Sequence, residues 1–110
     1  MKELLENARE FIESGKDNLR KKRLNAAASD FFKSIVILCD YLIYKEIKRL
    51  PKNHNDRFNL LKIYFNKIYS KVGPLFEIYI KSYNVKMEIK EVLILKNYSD
   101  ELERIIGNKK

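Results

Sequence analysis

The amino-acid sequence predicts an all-α fold, an antiparallel four- to five-helix up-and-down bundle around one long central helix. Three observations carry that expectation. Leu24–Leu50, LNAAASDFFKSIVILCDYLIYKEIKRL, runs without a glycine or proline. Apolar residues recur at spacings of three and four, and no two-residue alternation persists long enough to make a strand. Helix breakers at Ser14-Gly15, Pro51 and Gly73-Pro74 then cut the chain into helix-length segments. At 110 residues the chain is one domain, 1–110, long enough to bury a single core.

The first helix is expected over Lys2–Glu13, with Leu4, Leu5, Ala8, Phe11 and Ile12 inward and Glu3, Glu6, Glu10 and Glu13 outward. Ser14-Gly15 should end it, Gly15 serving as a left-handed C-terminal cap. Asp17 or Asn18 would then cap the second helix, so that the cations of Lys16–Arg23 sit in its first turns and oppose its macrodipole. The central helix carries two apolar stripes, Leu24, Ala28, Phe31, Ile35, Leu38, Leu42 and Phe32, Val36, Cys39, Ile43, Ile47, Leu50. A helix apolar on two adjacent faces needs neighbours on both sides. Asp30, Lys33, Asp40, Tyr41, Tyr44 and Lys48 form its expected outer strip. Pro51 biases Leu50 out of the helical region and sets the expected end. Asn53, Asn55 or Asp56 would cap a third helix with its stripe on Phe58, Leu61, Phe65, Ile68 and Val72. Gly73-Pro74 should break it before a fourth helix over Leu75–Tyr83. A fifth is expected over Glu88–Ile106, with Val92, Leu95, Leu102 and Ile106 inward, a polar Ser99 among them, and Gly107 as its cap.

Composition narrows the function classes. Hydrophobic residues are 45% and charged residues 35% of the chain, which describes a globular protein and not a disordered one. The longest apolar run, within Ser34–Cys39, is too short to cross a bilayer, and Met1–Glu13 is acidic and amphipathic rather than a basic-then-apolar leader. No membrane association and a cytoplasmic location are therefore expected. Absence of threonine, glutamine and tryptophan, with heavy use of Lys, Ile, Glu and Tyr, fits a thermophilic source, against which stand ten asparagines.

The net charge of +8 and the pI of about 9.5 suggest an anionic partner. The excess is uneven: residues 1–14 carry −2, 16–23 carry +4, 30–52 carry +2, 56–86 carry +4, and 87–110 balance. The one dense cluster is Arg20-Lys21-Lys22-Arg23, and Lys48, Arg49, Lys52 and Arg57 extend the expected basic surface to RNA, nucleotide or an acidic partner. Tyr64, Tyr69, Tyr79 and Tyr83 could stack bases, although helical tyrosines at these spacings more often wedge between helices or line a dimer face. Cys39 on a core stripe reads as a small buried hydrophobe. One His and one Cys cannot make a zinc site, and three ungrouped glycines make no phosphate loop. No metal or cofactor is expected.

Ala8-Arg9-Glu10-Phe11, Gly15-Lys16 and Ala26–Ser34 (AAASDFFKS) resemble the opening of the small prokaryotic HEPN-type helical proteins (higher eukaryotes and prokaryotes nucleotide-binding). In those, a first helix and a glycine turn precede an Ala-rich helix with an aromatic pair. Pro51-Lys52-Asn53-His54 with Phe58 and Leu61 is similar to the family's histidine-bearing connector, and Lys81-Ser82-Tyr83 to its pattern before the last helix. The resemblance covers nearly the whole chain. It implies a homodimeric bundle that associates with nucleotide, RNA or a small nucleotidyltransferase partner, as in toxin–antitoxin systems, some members being metal-independent ribonucleases.

Those ribonucleases carry an arginine and a histidine four to six residues apart, and Arg49-Leu50-Pro51-Lys52-Asn53-His54 matches with four between. A neutral imidazole can take the 2′-hydroxyl proton while a guanidinium holds the phosphate. The match departs from the family pattern in straddling a helix end, with Leu50 after the arginine and Pro51 inside, and Leu75–Asn84 has neither Arg nor His. Three readings of His54 stand: general base, structural residue capping or bonding a neighbouring helix end, or ligand contact without chemistry. At the level of the chain they give a non-catalytic HEPN-like binding module, with two alternatives, a ribonuclease using Arg49 and His54 or a purely structural dimerisation subunit.

Overall fold

The computed structural model describes residues 1–109, with side chains to Gly107, as five helices: α1 (Lys2–Arg20), α2 (Leu24–Ile47), α3 (His54–Tyr64), α4 (Asn66–Lys81) and α5 (Ile89–Lys109). The fold is the expected all-α bundle, and no strand occurs among the described residues. α2 is the central rod: it packs on all four other helices, most extensively on α1 and α5. Phe31, Ile35, Leu38 and Leu42 of one stripe and Phe32, Cys39 and Ile43 of the other are all buried. Each such side chain contributes roughly 1.5–3 kcal/mol by leaving water, so α2 alone supplies much of the core. Ala8 and Ile12 of α1, Leu61 of α3, Val72 and Leu75 of α4, and Val92, Leu95, Leu102 and Ile106 of α5 close around it. Ser99, the polar residue in the α5 stripe, meets the buried Ser34 of α2, hydroxyl to hydroxyl at 2.7 Å, while Ser34 donates to the Phe31 carbonyl. Tyr41, expected on the outer strip, is buried as well.

Several expected boundaries move. α1 does not end at Ser14-Gly15 but continues to Arg20. Gly15 is helical and buried, and a Cβ built on it would lie 2.7 Å from Cε1 of Phe31. Its smallness therefore serves close packing of α1 on α2, not a left-handed cap. The true cap lies seven residues on, at Lys22 (φ 61°). Arg23 N–H donates to the Asn18 carbonyl and Lys22 N–H to that of Leu19, the paired bonds of a Schellman motif with lysine where glycine is usual. The cations of residues 16–23 thus sit at the C-terminal end of α1, where they complement its macrodipole instead of opposing the next one. Asp17 and Asn18 cap nothing: Asp17 pairs with Arg20 and Lys21, and Asn18 donates to Asp30.

α2 stops at Ile47, because Lys48 turns left-handed (φ 63°), and Leu50 lies exposed in the connector. The expected third helix divides at Phe65, whose φ of −140° and ψ of 61° leave the helical region. The helix instead runs through Gly73-Pro74 inside α4. Gly73 lacks the Cβ that would meet the proline ring, and the stripe Ile68, Val72, Leu75 holds both sides of Pro74 on the core. Gly107 likewise continues α5 instead of capping it. No helix among the described residues is long and apolar enough to cross a membrane.

Candidate functional site

The residues expected to bind or cut RNA fall at the two ends of α2, not on one surface. Its twenty-four residues put those ends about 36 Å apart. Lys48, Arg49, Lys52, His54 and Arg57 belong to the C-terminal end, and Arg20, Lys21, Lys22 and Arg23 to the N-terminal end.

At the C-terminal end the connector is organised by Asp56. Asn53 caps α3, its side chain accepting from Asp56 N–H at 2.8 Å, as expected of one of the three candidate caps. The Asp56 carboxylate then accepts from the Lys52 backbone N–H at 2.9 Å and from the Arg49 guanidinium at 2.9 Å. The Arg49 bond and then the Lys52 amide hold the Asp56 carboxyl below its ordinary value, and the same ion pair raises Arg49. The charge that would meet a phosphate is thus already paired with a carboxylate in the first turn of α3, although the Arg49 side chain stays exposed.

His54 faces a different partner. Its Nδ1 lies 2.8 Å from Nη1 of Arg57. A guanidinium has only donors, so Nδ1 accepts and the neutral ring carries its proton on Nε2. In that tautomer the free nitrogen donates, whereas a general base must accept. Arg57 is itself held by both carboxylate oxygens of Asp40, at 2.6 and 3.0 Å, with both side chains largely buried. The Asp40–Arg57–His54 chain pins α3 to α2, and the His54 ring sits among Phe58 and Phe76. His54 therefore bonds within α3 and not to a neighbouring helix end. Lys48 and Lys52 remain exposed with no ion pair among the described residues.

At the N-terminal end an open groove of about 790 Å³ lies between the α1–α2 turn and the segment joining α4 to α5. Lys22, Arg23 and Lys86 line it, all exposed, and none forms an ion pair among the described residues. Arg20 and Lys21 stand beside it but share Asp17, whose carboxyl the Lys21 bond lowers. The first turn of α2 forms the groove wall. Its N-cap, Arg23, offers no side-chain bond, and the N–H groups of Leu24, Asn25 and Ala26 have no acceptor among the described residues. The unsatisfied N–H groups and the macrodipole both favour an anion there.

Asn25 ties the two walls together. Its amide donates to the carbonyls of Ser82 and Val85 at 2.8 and 2.7 Å, and its oxygen accepts from Met87 N–H at 3.0 Å. Tyr83 stands 69% exposed at the rim. Its hydroxyl bonds Tyr79, whose own hydroxyl is pushed up to about 12 by that bond and by burial. Tyr79 stacks on Phe32, so of this pair only Tyr83 offers an open face. Lys86 and Asn25 escape sequence reasoning because the groove they line is closed by bonds from Asn25 to Val85 and Met87 across some sixty residues, a pairing that no periodic pattern marks.

Cys39 is fully buried and its thiol is pushed up to about 12, which removes it as a nucleophile. Among the described residues no group of three or more His, Cys, Asp and Glu side chains could hold a metal. No family model matches this chain, and comparison with curated proteins and with solved structures gives no match.

Proposed function

We propose that this chain is a non-catalytic helical binding module that takes a phosphate-bearing ligand, RNA or nucleotide, in the groove at the N-terminal end of α2. One observation carries the reading: three cations without ion pairs, Lys22, Arg23 and Lys86, converge on an uncapped helix start. Phosphate is the anion such a site accommodates best, since backbone N–H groups and flexible cations both bond its oxygens. Tyr83 at the rim adds a face for a base. The resemblance to HEPN proteins supports RNA or nucleotide over other anions, and it brings a homodimer and a small nucleotidyltransferase as further expected partners. The ribonuclease alternative is weakened by Arg49 being bound to Asp56 and His54 accepting from Arg57.

Fluorescence anisotropy with a labelled single-stranded RNA tests the reading. Lys22→Glu/Arg23→Glu/Lys86→Glu should reduce affinity at least tenfold, and Lys48→Glu/Lys52→Glu much less. Equal losses from both variants would mean diffuse attraction and no site. Metal-free cleavage of the RNA that His54→Ala abolishes, with the fold intact, would restore the enzymatic alternative.

A further inference from the structure

Between α3 and α4 lies a groove of another kind. It encloses about 300 Å³ and is walled by aromatic rings, Phe58 of α3 and Tyr69 and Phe76 of α4. All three are only partly buried, and Phe58 meets Phe76 edge to face with centroids 5.7 Å apart. Two acceptors stand beside the rings. The first is Glu77, exposed at the rim, which has neither an ion pair nor a hydrogen bond among the described residues.

Ser70 supplies the second. Its hydroxyl is occupied, donating to the Lys67 carbonyl at 2.9 Å. Its own carbonyl would accept from the N–H four residues on, but that residue is Pro74, which has no N–H and lies in the same wall. A carbonyl without its helical partner, a carboxylate without a cation and three π systems all favour a positive ligand. The chain's own Lys62 shows the attraction from outside the lining, its Nζ standing 6.0 Å from the centroid of Tyr69.

We propose that this groove binds a small organic ammonium ion, a protonated amine carried on an apolar body. The body covers the rings, while the ammonium N–H groups donate to the Ser70 carbonyl and the Glu77 carboxylate. The volume stands at the small end of ligand sites, which suits a free amine and not a peptide segment. Arg57, next to Phe58 in the chain, does not compete, because Asp40 holds it. Lys62 is the competitor. The site shares no residue with the groove at the N-terminal end of α2 and does not depend on what binds there.

Phenethylammonium is the probe, with phenethyl alcohol, neutral and of the same shape, as control. Titration into the full chain should be saturable and should shift the aromatic NMR signals of Phe58, Tyr69 and Phe76. The alcohol should bind at least about fivefold more weakly. Glu77→Gln should weaken the ammonium by about the same factor and leave the alcohol unchanged. Pro74→Ala restores an N–H for the Ser70 carbonyl, so it should raise Tm and weaken the ammonium together. Lys62→Ala should strengthen binding, because a competing ammonium leaves Tyr69. Absence of saturable binding, equal binding of the alcohol, shifts confined to other rings, or unchanged affinity in either Glu77→Gln or Pro74→Ala overturns the proposal. If Pro74→Ala lowers Tm instead, Glu77→Gln on the exposed rim decides alone. A lysine peptide that binds more tightly than the free amine also overturns it, since the occupant would then be a side chain of a partner protein.

Discussion

At Gly15 the ring of Phe31 lies where any side chain would begin. Alanine there gains helix propensity of up to about 1 kcal/mol but must displace a fully buried aromatic ring. Overpacking of that kind costs about 1–3 kcal/mol, so Gly15→Ala should lower Tm by several degrees in a thermal melt. If Tm rises, α1 and α2 do not approach as closely as described. Lys22 is the converse. It holds a left-handed conformation that glycine adopts without strain, and Lys22→Gly should stabilise the fold by about 0.5–1 kcal/mol while weakening RNA binding. A gain in Tm with unchanged binding would remove Lys22 from the groove's chemistry. In sequence the two positions carry reversed signals, because a glycine needed for packing and a glycine needed for a cap look alike. What separates them is a ring sixteen residues away.

Among the elements, the helices with strong stripes were legible and their ends were not. The stripes of the expected Leu24–Leu50 and Glu88–Ile106 helices and the inward face of α1 follow from spacing alone, since burial of a stripe dominates over local preference, whereas the expected third-helix stripe of Phe58, Leu61, Phe65, Ile68 and Val72 is divided between α3 and α4. The breakers misled where packing outweighed them, at Gly15 and at Gly73-Pro74. The one break inside the expected third helix falls at Phe65, in a run with no glycine or proline. The candidate site was legible only in part: the basic cluster is visible, but the groove needs Asn25 bonded across to Ser82, Val85 and Met87. The connector after α2 offers a direct test of its own organisation. Asp56 titrates below the ordinary 3.8 when folded, so its stabilising contribution is present above that pH and is lost as pH falls through the lowered value. Asp56→Asn should therefore melt earlier than wild type at pH 7, and the two should converge as pH drops below 3.8. A difference that persists in acid would mean that shape, not charge, holds the loop.

The molecule as a whole carries its charge in a pattern that sequence totals conceal. Its N-terminal α1 face is acidic, the α1–α2 turn is basic, and a second, sparser basic group lies about 36 Å from that turn along α2. The groove beside the turn presents three cations without ion pairs among the described residues, Lys22 and Arg23 of the turn and Lys86 of the α4–α5 segment, and of the basic residues expected at the distant end Lys48 and Lys52 are left, because Arg49 and Arg57 are committed to Asp56 and Asp40. Each phosphate neutralised on a single strand steepens the dependence of log K on log salt by about 0.7. A trinucleotide, able to reach the turn only, should give a slope near about −2, and an RNA long enough to span both ends about −3.5. Lys48→Glu/Lys52→Glu should return the long RNA to the shallower slope and leave the trinucleotide unaffected. Were both RNAs to show the same slope, binding would be confined to one end of α2. Were the trinucleotide's slope near zero, the three cations would not be meeting phosphates at all, and the groove would have to be read as a contact surface for something uncharged.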